Sequence, residues 1–401
     1  MKTAYSFLLS IALLSQSWVQ AQSDNFVFLN ETGFEFNNKG VKVEGSAFAG
    51  SNALNTKMFT DVLIRPTFSE QSKSAFLEGS QSKTNLFASN KWGVEYHKDA
   101  NTYFYISNKS LLAFSSDKDF SELLFFGNSP FRGQKVSTSG LNYVQANIFS
   151  AGYGFEVYRS KKLSIKSALG LSTLNNYRQI DASEIQLYTA SDGSYLDATF
   201  KNTSINETKS GIQGVGLSAD ICLDYRINDL NTISFEADDV NGFYLFDNQE
   251  IQIDTSFNFN GVSIDVFNAE TSVANYLDSS FTETINRNKT TQNQAFLPTK
   301  MKLQWVYKLN PRATLASSVE SLSLGKFGTY LETAVIYTHN RQLRTRTSLG
   351  YGDFIGFTWS ESLEYRTNKY NFYLGLNNLQ AIAAPIKTRN YGFSFGLFRH
   401  L

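Results

Sequence analysis

The feature that most constrains this chain is a two-residue alternation of apolar and polar side chains that recurs along most of its length. Between 215 and 227, Val215, Leu217, Ala219, Ile221, Leu223, Tyr225 and Ile227 interleave with Gly216, Ser218, Asp220, Cys222, Asp224 and Arg226. Successive side chains of a β-strand point to opposite faces, so this spacing builds one apolar and one polar face. The same rhythm fills 149–157, 163–171, 301–308, 331–337, 343–352 and 357–376. No segment sustains a helical period. The alternating stretches run to roughly 9–11 residues, the length that crosses a bilayer when tilted.

A water-soluble β-sandwich also alternates, but three features favour a closed membrane barrel. The polar face keeps glycine, serine and charge over whole strands, with Lys300 and Lys302 on one and Arg344 and Arg346 on another. The apolar face is aromatic mainly near strand ends, as interfacial girdles require. A sheet in lipid must close, because an open edge leaves backbone groups without hydrogen-bond partners. The expected fold class is all-β, a transmembrane antiparallel β-barrel.

Composition fits two unlike faces. Lys and Arg number 36, as do Asp and Glu, and charged residues make up only 18% of the chain, beside 34 Phe and 21 Tyr. Mean hydropathy is nonetheless slightly negative. Balanced charge excludes a nucleic-acid binder that works by neutralising phosphates. The single cysteine, Cys222, excludes a disulfide framework and a cysteine-rich zinc site.

Residues 1–21 read as a secretory signal peptide, with Lys2, a short apolar run through 7–14, and Val19-Gln20-Ala21 as the cleavage site. The remaining 22–401 form one barrel domain, and an exported barrel belongs in the outer membrane. Short polar turns at 159–162, 228–231, 310–312, 339–342 and 366–369 recur at every second strand junction and mark the periplasmic side. The Asn/Ser/Thr-rich stretches 175–210 and 240–297 are then outer loops, the first carrying a hairpin tip at Ser191-Asp192-Gly193-Ser194.

At the C-terminus, Tyr391, Phe393, Phe395, Leu397 and Leu401 alternate with Gly392, Ser394, Gly396, Phe398 and His400, interrupted by Arg399. An amphipathic final strand of this kind resembles the signal read by the bacterial barrel-insertion machinery, although Leu401 replaces the usual terminal Phe. The expected partners are therefore that machinery and outer-membrane lipid, with no nucleic acid.

Seven charged residues are the candidates for a lumen-facing set: Asp220, Asp224 and Arg226 on one strand, Lys300 and Lys302 on another, Arg344 and Arg346 on a third. They can pair and hold the barrel's shape, or line a polar path. The first role has priority, since any wide barrel must fill its interior with polar groups. Catalysis is not expected. His339 falls in a predicted periplasmic turn and His400 next to the terminus, so neither suits a shared site with His97, which reads as an interfacial or exposed side chain. Gly214-Val215-Gly216-Leu217-Ser218-Ala219 matches a dinucleotide motif in letters, but a strand rather than a helix follows it. Asp238-Asp239 lacks the spacing of a calcium loop. No enzyme, cofactor or metal is expected.

From about residue 120 the chain resembles a Bacteroidota outer-membrane barrel family of unknown function, itself similar to fatty-acid-transporter-like (FadL-like) barrels. The resemblance rests on Glu122-Leu123-Leu124-Phe125-Phe126-Gly127-Asn128 with Phe131 and Gly133, the hairpin 153–171, 216–225 with 232–246, and Phe296-Leu297-Pro298-Thr299-Lys300. It implies around fourteen strands, compatible with roughly 380 mature residues at about 27 per strand with loops. It also implies that 22–45 form a plug in the lumen. The function it implies is a channel or transporter for small hydrophobic or amphipathic molecules. The alternative is a membrane-embedded scaffold for surface-exposed or secreted partners.

Overall fold

The computed structural model describes residues 39–58, 70–79, 82–99, 101–206, 211–246, 249–260, 289–291, 293–322, 328–352 and 356–401. Strands occupy 73% of the described residues. In chain order they are β1 (Gly40–Ser51), β2 (Lys83–His97), β3 (Thr102–Asp117), β4 (Lys135–Thr138), β5 (Leu141–Arg159), β6 (Leu163–Thr189), β7 (Tyr195–Asn206), β8 (Ile212–Arg226), β9 (Asn231–Leu245) and β10 (Gln249–Asn260). They continue with β11 (Lys289–Thr291), β12 (Gln294–Ala295), β13 (Lys300–Asn310), β14 (Ala313–Leu322), β15 (Thr329–Thr338), β16 (Leu343–Gly352), β17 (Gly356–Arg366), β18 (Tyr370–Asn377) and β19 (Asn390–His400). Three helices are described: α1 (Glu70–Gly79), α2 (Lys118–Phe126) and α3 (Gln380–Ala383).

Among the described residues, 14 of these strands close a continuous antiparallel wall. The circuit runs β1-β2-β3-β5-β6-β8-β9-β13 and on through β14 to β19, which returns to β1 with Gly40 opposite His400 and Gly50 opposite Asn390. The last strand therefore seals the sheet against the first, and the Leu401 N–H donates to the Lys39 carbonyl at 2.9 Å. The expected barrel class and strand number are those of the structure. The expected plug is different in its C-terminal part. Gly40–Ser51 is a wall strand bonded on both sides, because Gly-Val-Lys-Val-Glu-Gly alternates well enough to pair. Residues 22–38, like the signal segment 1–21, lie outside the described residues.

One face of each strand meets lipid. Trp92, Phe104, Tyr153, Leu171, Leu217, Leu331, Tyr351, Phe357 and Tyr365 are all exposed on the outer wall. Their alternation partners point inward and are largely buried. The short polar turns all fall at one end, called here the turn end. At Asn310-Pro311-Arg312, for example, the Asn310 side chain accepts from the Arg312 and Ala313 N–H groups at 2.8 and 3.0 Å.

At the opposite, loop end the described part of the stretch expected to be a loop at 175–210, residues 175–206, is two strands joined by a turn. β6 continues unbroken for 27 residues, leaving β8 at Leu174–Asn175 and taking up β7 from Ile180. Asn176, with φ of 49°, makes the bend. The predicted hairpin tip is present: the Ala190 N–H donates to Tyr195 O at 3.0 Å, and Gly193 takes φ of 76°. There the Ser194 N–H and hydroxyl hold the Asp192 carboxyl below the usual carboxylate range. β4 and β10 extend this sheet, and α1 and α2 close over it through Phe76 and Phe120.

Candidate functional site

The lumen is the candidate site, and its lining changes character along the barrel axis. At the turn end it is charged. On one side Lys42 lies 2.6 Å from Glu44 and 3.1 Å from Glu95, while His97 Nε2 lies 2.7 Å from Glu95. His97 is buried, stacked on Tyr103 with ring centroids 5.0 Å apart and edge-on to Phe398 at 5.6 Å. The expectation of an interfacial or exposed His97 therefore fails: as the last residue of β2 its parity is inward, and Glu95 two residues earlier shares that face. In the turn that follows, the Asn101 N–H at 2.9 Å holds the Asp99 carboxyl below its ordinary range. Across the lumen Arg366 lies 2.6 Å from Glu364, Arg344 approaches it at 4.0 Å, and Arg346 pairs with Glu332, which also accepts from Ser348 at 3.0 Å.

Midway up, Lys109 on β3 pairs with Asp239 on β9, and the Asp239 N–H donates to Asp220 at 2.8 Å. Asp239 is aimed by a bulge between β8 and β9, where its φ reaches 57°. Lys300 reaches Glu320 at 3.3 Å. A chain of hydroxyls, Ser150–Ser172–Ser218, crosses β5, β6 and β8 at 2.7 and 3.0 Å. Beside these groups lies a cavity of about 110 Å³ lined by Lys91, Glu95, Tyr103, Asp220 and Asp239.

The charged candidates from the sequence divide accordingly. Asp220, Lys300, Arg344 and Arg346 stand in the network, and Lys302 is buried beside it. Asp224 accepts from Ser234 at 2.6 Å and lies 3.9 Å from the Cys222 thiol. Arg226 ends β8 exposed at the turn-end rim, outside the network, because the strand runs out of lumen there. Sequence reasoning missed Lys42, Glu44, Lys91, Glu95, Lys109, Asp239, Glu332 and Glu364. Parity along 40–51 and 83–97 marks the first four as one face, but only strand register tells which charges meet.

Toward the loop end the lumen turns apolar. Leu111, Val144, Ile148, Leu174, Tyr177, Phe243 and Leu245, all inward by parity or buried with those that are, pack with Ala295 and Leu297. Tyr330 of β15 reaches across to Phe87 and Ala113 beside Phe48, and its hydroxyl lies 2.6 Å from Thr358. Two apolar clusters thus line the interior toward the loop end, beyond the charged half.

Beside the first of these clusters the wall itself is interrupted. β9 pairs with β13 up to Asp238 opposite Lys300, and with β12 from Phe243 opposite Ala295. The register is kept across the gap, but residues 296–299 form no ladder with 239–242. Pro298 has no N–H to give, and the Leu297 N–H turns to the Asn241 side chain at 2.9 Å. Phe296 lies outside, 71% exposed, over Gly242, where an added Cβ would meet its ring at 3.3 Å, while Leu297 lies inside.

No protein-family model and no curated protein matches the chain. Solved structures with a similar course include a mutant of the TodX monoaromatic hydrocarbon channel, at 9% identity, 96% of each chain and a TM-score of 0.46. A Pseudomonas aeruginosa FadL homologue matches at 10% identity over 90% of this chain and 89% of its own, with a TM-score of 0.43. The Ralstonia pickettii toluene transporter TbuX matches at 6% identity over 91% and 90%, with a TM-score of 0.41. At such scores the likeness neither adds to nor subtracts from what the wall and lumen themselves display.

For chemistry the lumen offers little. Much of the lumen's charge is paired, and among the described residues no group of three or more His, Cys, Asp or Glu is placed to hold a metal ion. What the arrangement offers is an apolar lining toward the loop end, suited to an apolar molecule.

Proposed function

We propose that the protein is an outer-membrane channel for small hydrophobic or amphipathic molecules. The observation that carries this reading is the apolar layer of Leu111, Ile148, Leu174 and Phe243, set beside the unpaired wall segment 296–299. A pore for polar solutes needs water and polar groups along its whole length. Here the polar half is knitted together by ion pairs, and the half open to an apolar guest faces the loop end. An apolar molecule that dissolves among these side chains loses no hydration, whereas a sugar or ion would lose its water without replacement. The C-terminal strand, with Tyr391, Phe393, Phe395, Leu397 and Leu401 on its outward face, serves in this reading as the signal for insertion into the outer membrane. The turn end is the periplasmic one.

The test is uptake in a Gram-negative host that lacks its own hydrophobic channels, where lipopolysaccharide keeps apolar solutes out. Expression of the full chain should raise uptake of labelled oleate or toluene several-fold and leave arabinose uptake unchanged. Phe243→Asp, placed in the apolar layer, should abolish the gain while the barrel still inserts. Equal rates for both solute types, or no gain for either, would overturn the proposal.

A further inference from the structure

The outer wall carries a polar row that the lumen does not account for. Ser317 on β14, Thr333 on β15, Thr347 on β16 and Glu361 on β17 each occupy a lipid-facing position, between neighbours such as Leu315 and Val319 or Trp359 and Leu363. Each stands four or five residues from the turn end of its strand, which is Ala313, Thr338, Leu343 and Arg366 respectively. At about 3.3 Å per residue and a tilt near 40°, all four lie at one depth, roughly 10–13 Å above the turns and within the hydrocarbon. Elsewhere the same level carries Trp92, Ile106, Phe155, Ile221, Phe235 and Phe395, with Ser167 alone as a polar exception.

Within the row the hydrogen bonds are incomplete at both ends. Ser317 Oγ and Thr333 Oγ1 lie 3.1 Å apart and, among the described residues, have only each other, so one of the two hydroxyl protons is unspent. Glu361 accepts from the Thr347 hydroxyl at 2.8 Å and the Trp359 indole N–H at 3.0 Å, with no basic partner among the described residues. A carboxyl group has room for further donors. Acyl chains offer neither donor nor acceptor, and lipid headgroups lie at the membrane surface.

We infer that the outer face of β14–β17 is an interface between two copies of this chain, related by a two-fold axis along the membrane normal between β15 and β16. Two copies inserted in the same sense meet only at matching depths, a condition the row satisfies. The rotation brings Glu361 of each copy to the Ser317–Thr333 pair of the other, so that the unspent acceptor meets the unspent donor twice. A groove of about 670 Å³, floored by Ser317 and Thr333 and walled by Trp305, Leu331 and Tyr351, gives the Glu361–Trp359 ridge of the other copy a seat.

Cysteine cross-linking in intact outer membranes tests this, in the full chain carrying Cys222→Ser. Val335→Cys lies beside the proposed axis and leaves the row intact; Ile106→Cys lies at the same depth on the opposite wall. Oxidation with copper phenanthroline should convert most of the Val335→Cys protein to a species of twice the monomer mass and leave Ile106→Cys monomeric. Adding Glu361→Leu should lower the cross-linked fraction at least fivefold while the heat-dependent gel shift of a folded barrel persists. Ser317→Ala with Thr333→Val, which strips the donors at the other end, should lower it equally. An equal yield at Ile106→Cys, an adduct of any other mass, or a yield indifferent to both sets of substitutions overturns the inference.

Discussion

The two halves of the wall are built to different rules. From β13 to β18 the strands have 8–11 residues, and their outward positions are covered by no other element of the chain among the described residues. From β2 to β9 the wall strands have 15–27 residues and rise beyond the bilayer at the loop end. There, positions of the same outward parity are buried: Leu86 and Ala88 continue the row of Trp92 and Val94, and Leu112 and Phe114 that of Phe104 and Ile106. They pack with Phe76 of α1 and Phe120 of α2 in the manner of a soluble core. Outward parity therefore means lipid in one half and protein in part of the other, and the difference separates a plain membrane wall from one that supports a covered mouth.

The ion pairs of the two halves offer the largest test of that contrast. Lys109 is held by Asp239 as a buried ion pair, and breaking a buried pair by removing one member costs about 3–5 kcal/mol. Asp239→Leu should lose that much stability in guanidinium unfolding of the detergent-solubilised barrel, and Lys109→Leu/Asp239→Leu should recover at least half. Arg344 shares Glu364 with Arg366, which holds the carboxylate at 2.6 Å. Arg344→Leu should therefore cost within about 1 kcal/mol. Equal losses at the two sites would remove the distinction.

The regular half is also the half the sequence makes legible. Lipid on one side forces a clean alternation, so 343–352 reads as a strand from its letters and is one. The loop-end sheet is hidden for a physical reason: water and protein both accept its Ser, Thr and Asn side chains, so 175–210 looks like a loop although its described part, 175–206, holds the end of β6 and all of β7. β1 is obscured by its small residues, which pair as well as large ones but carry little pattern. For the lumen, parity tells which charges point inward, but not which meet. Lys42 and Glu95 are 53 positions apart, Lys109 and Asp239 130, and only the closure of the sheet fixes those registers. Glu361 is the reverse case: one carboxyl in the row Phe357, Trp359, Leu363 and Tyr365 is conspicuous from sequence once the strand is assigned.

Truncation of one leucine in each half gives the next largest difference. Leu112 is fully buried, and Leu112→Ala should leave a cavity costing about 2–5 kcal/mol. Leu349, also outward by parity, is 52% exposed on the lipid face. In barrels diluted in lipid until single copies prevail, acyl chains flow into the space that Leu349→Ala vacates, which removes the cavity contribution, so its cost there should be less than half that of Leu112→Ala. Unfolding of both variants in lipid vesicles of one composition makes the comparison. Similar costs would mean that the outer face near Leu349 is itself covered by protein, as the two-copy interface requires at its centre, and a concentration-dependent difference would locate that cover.

The smallest contrast concerns how closely neighbouring strands and side chains approach. A Cβ on Gly152 of β5 would stand 2.2 Å from the Leu169 carbonyl oxygen and 2.6 Å from the Tyr105 ring, so backbone as well as side chain must move. Gly152→Ala should cost about 1–3 kcal/mol through overpacking. Gly396 of β19 has nothing nearer than 3.9 Å, and Gly396→Ala should fall within about 0.5 kcal/mol of the parent. The two glycines share an inward, lumen-facing parity, so the difference measures the local filling of the lumen and not the strand's preference for alanine. Tyr103, Tyr105 and the hydroxyl chain crowd the β3–β8 side, while near β19 the lumen has room for a methyl group. A large cost at Gly396 would mean that the first and last strands close more tightly than their geometry indicates, and would shift the seal of the barrel from the crowded side to the seam.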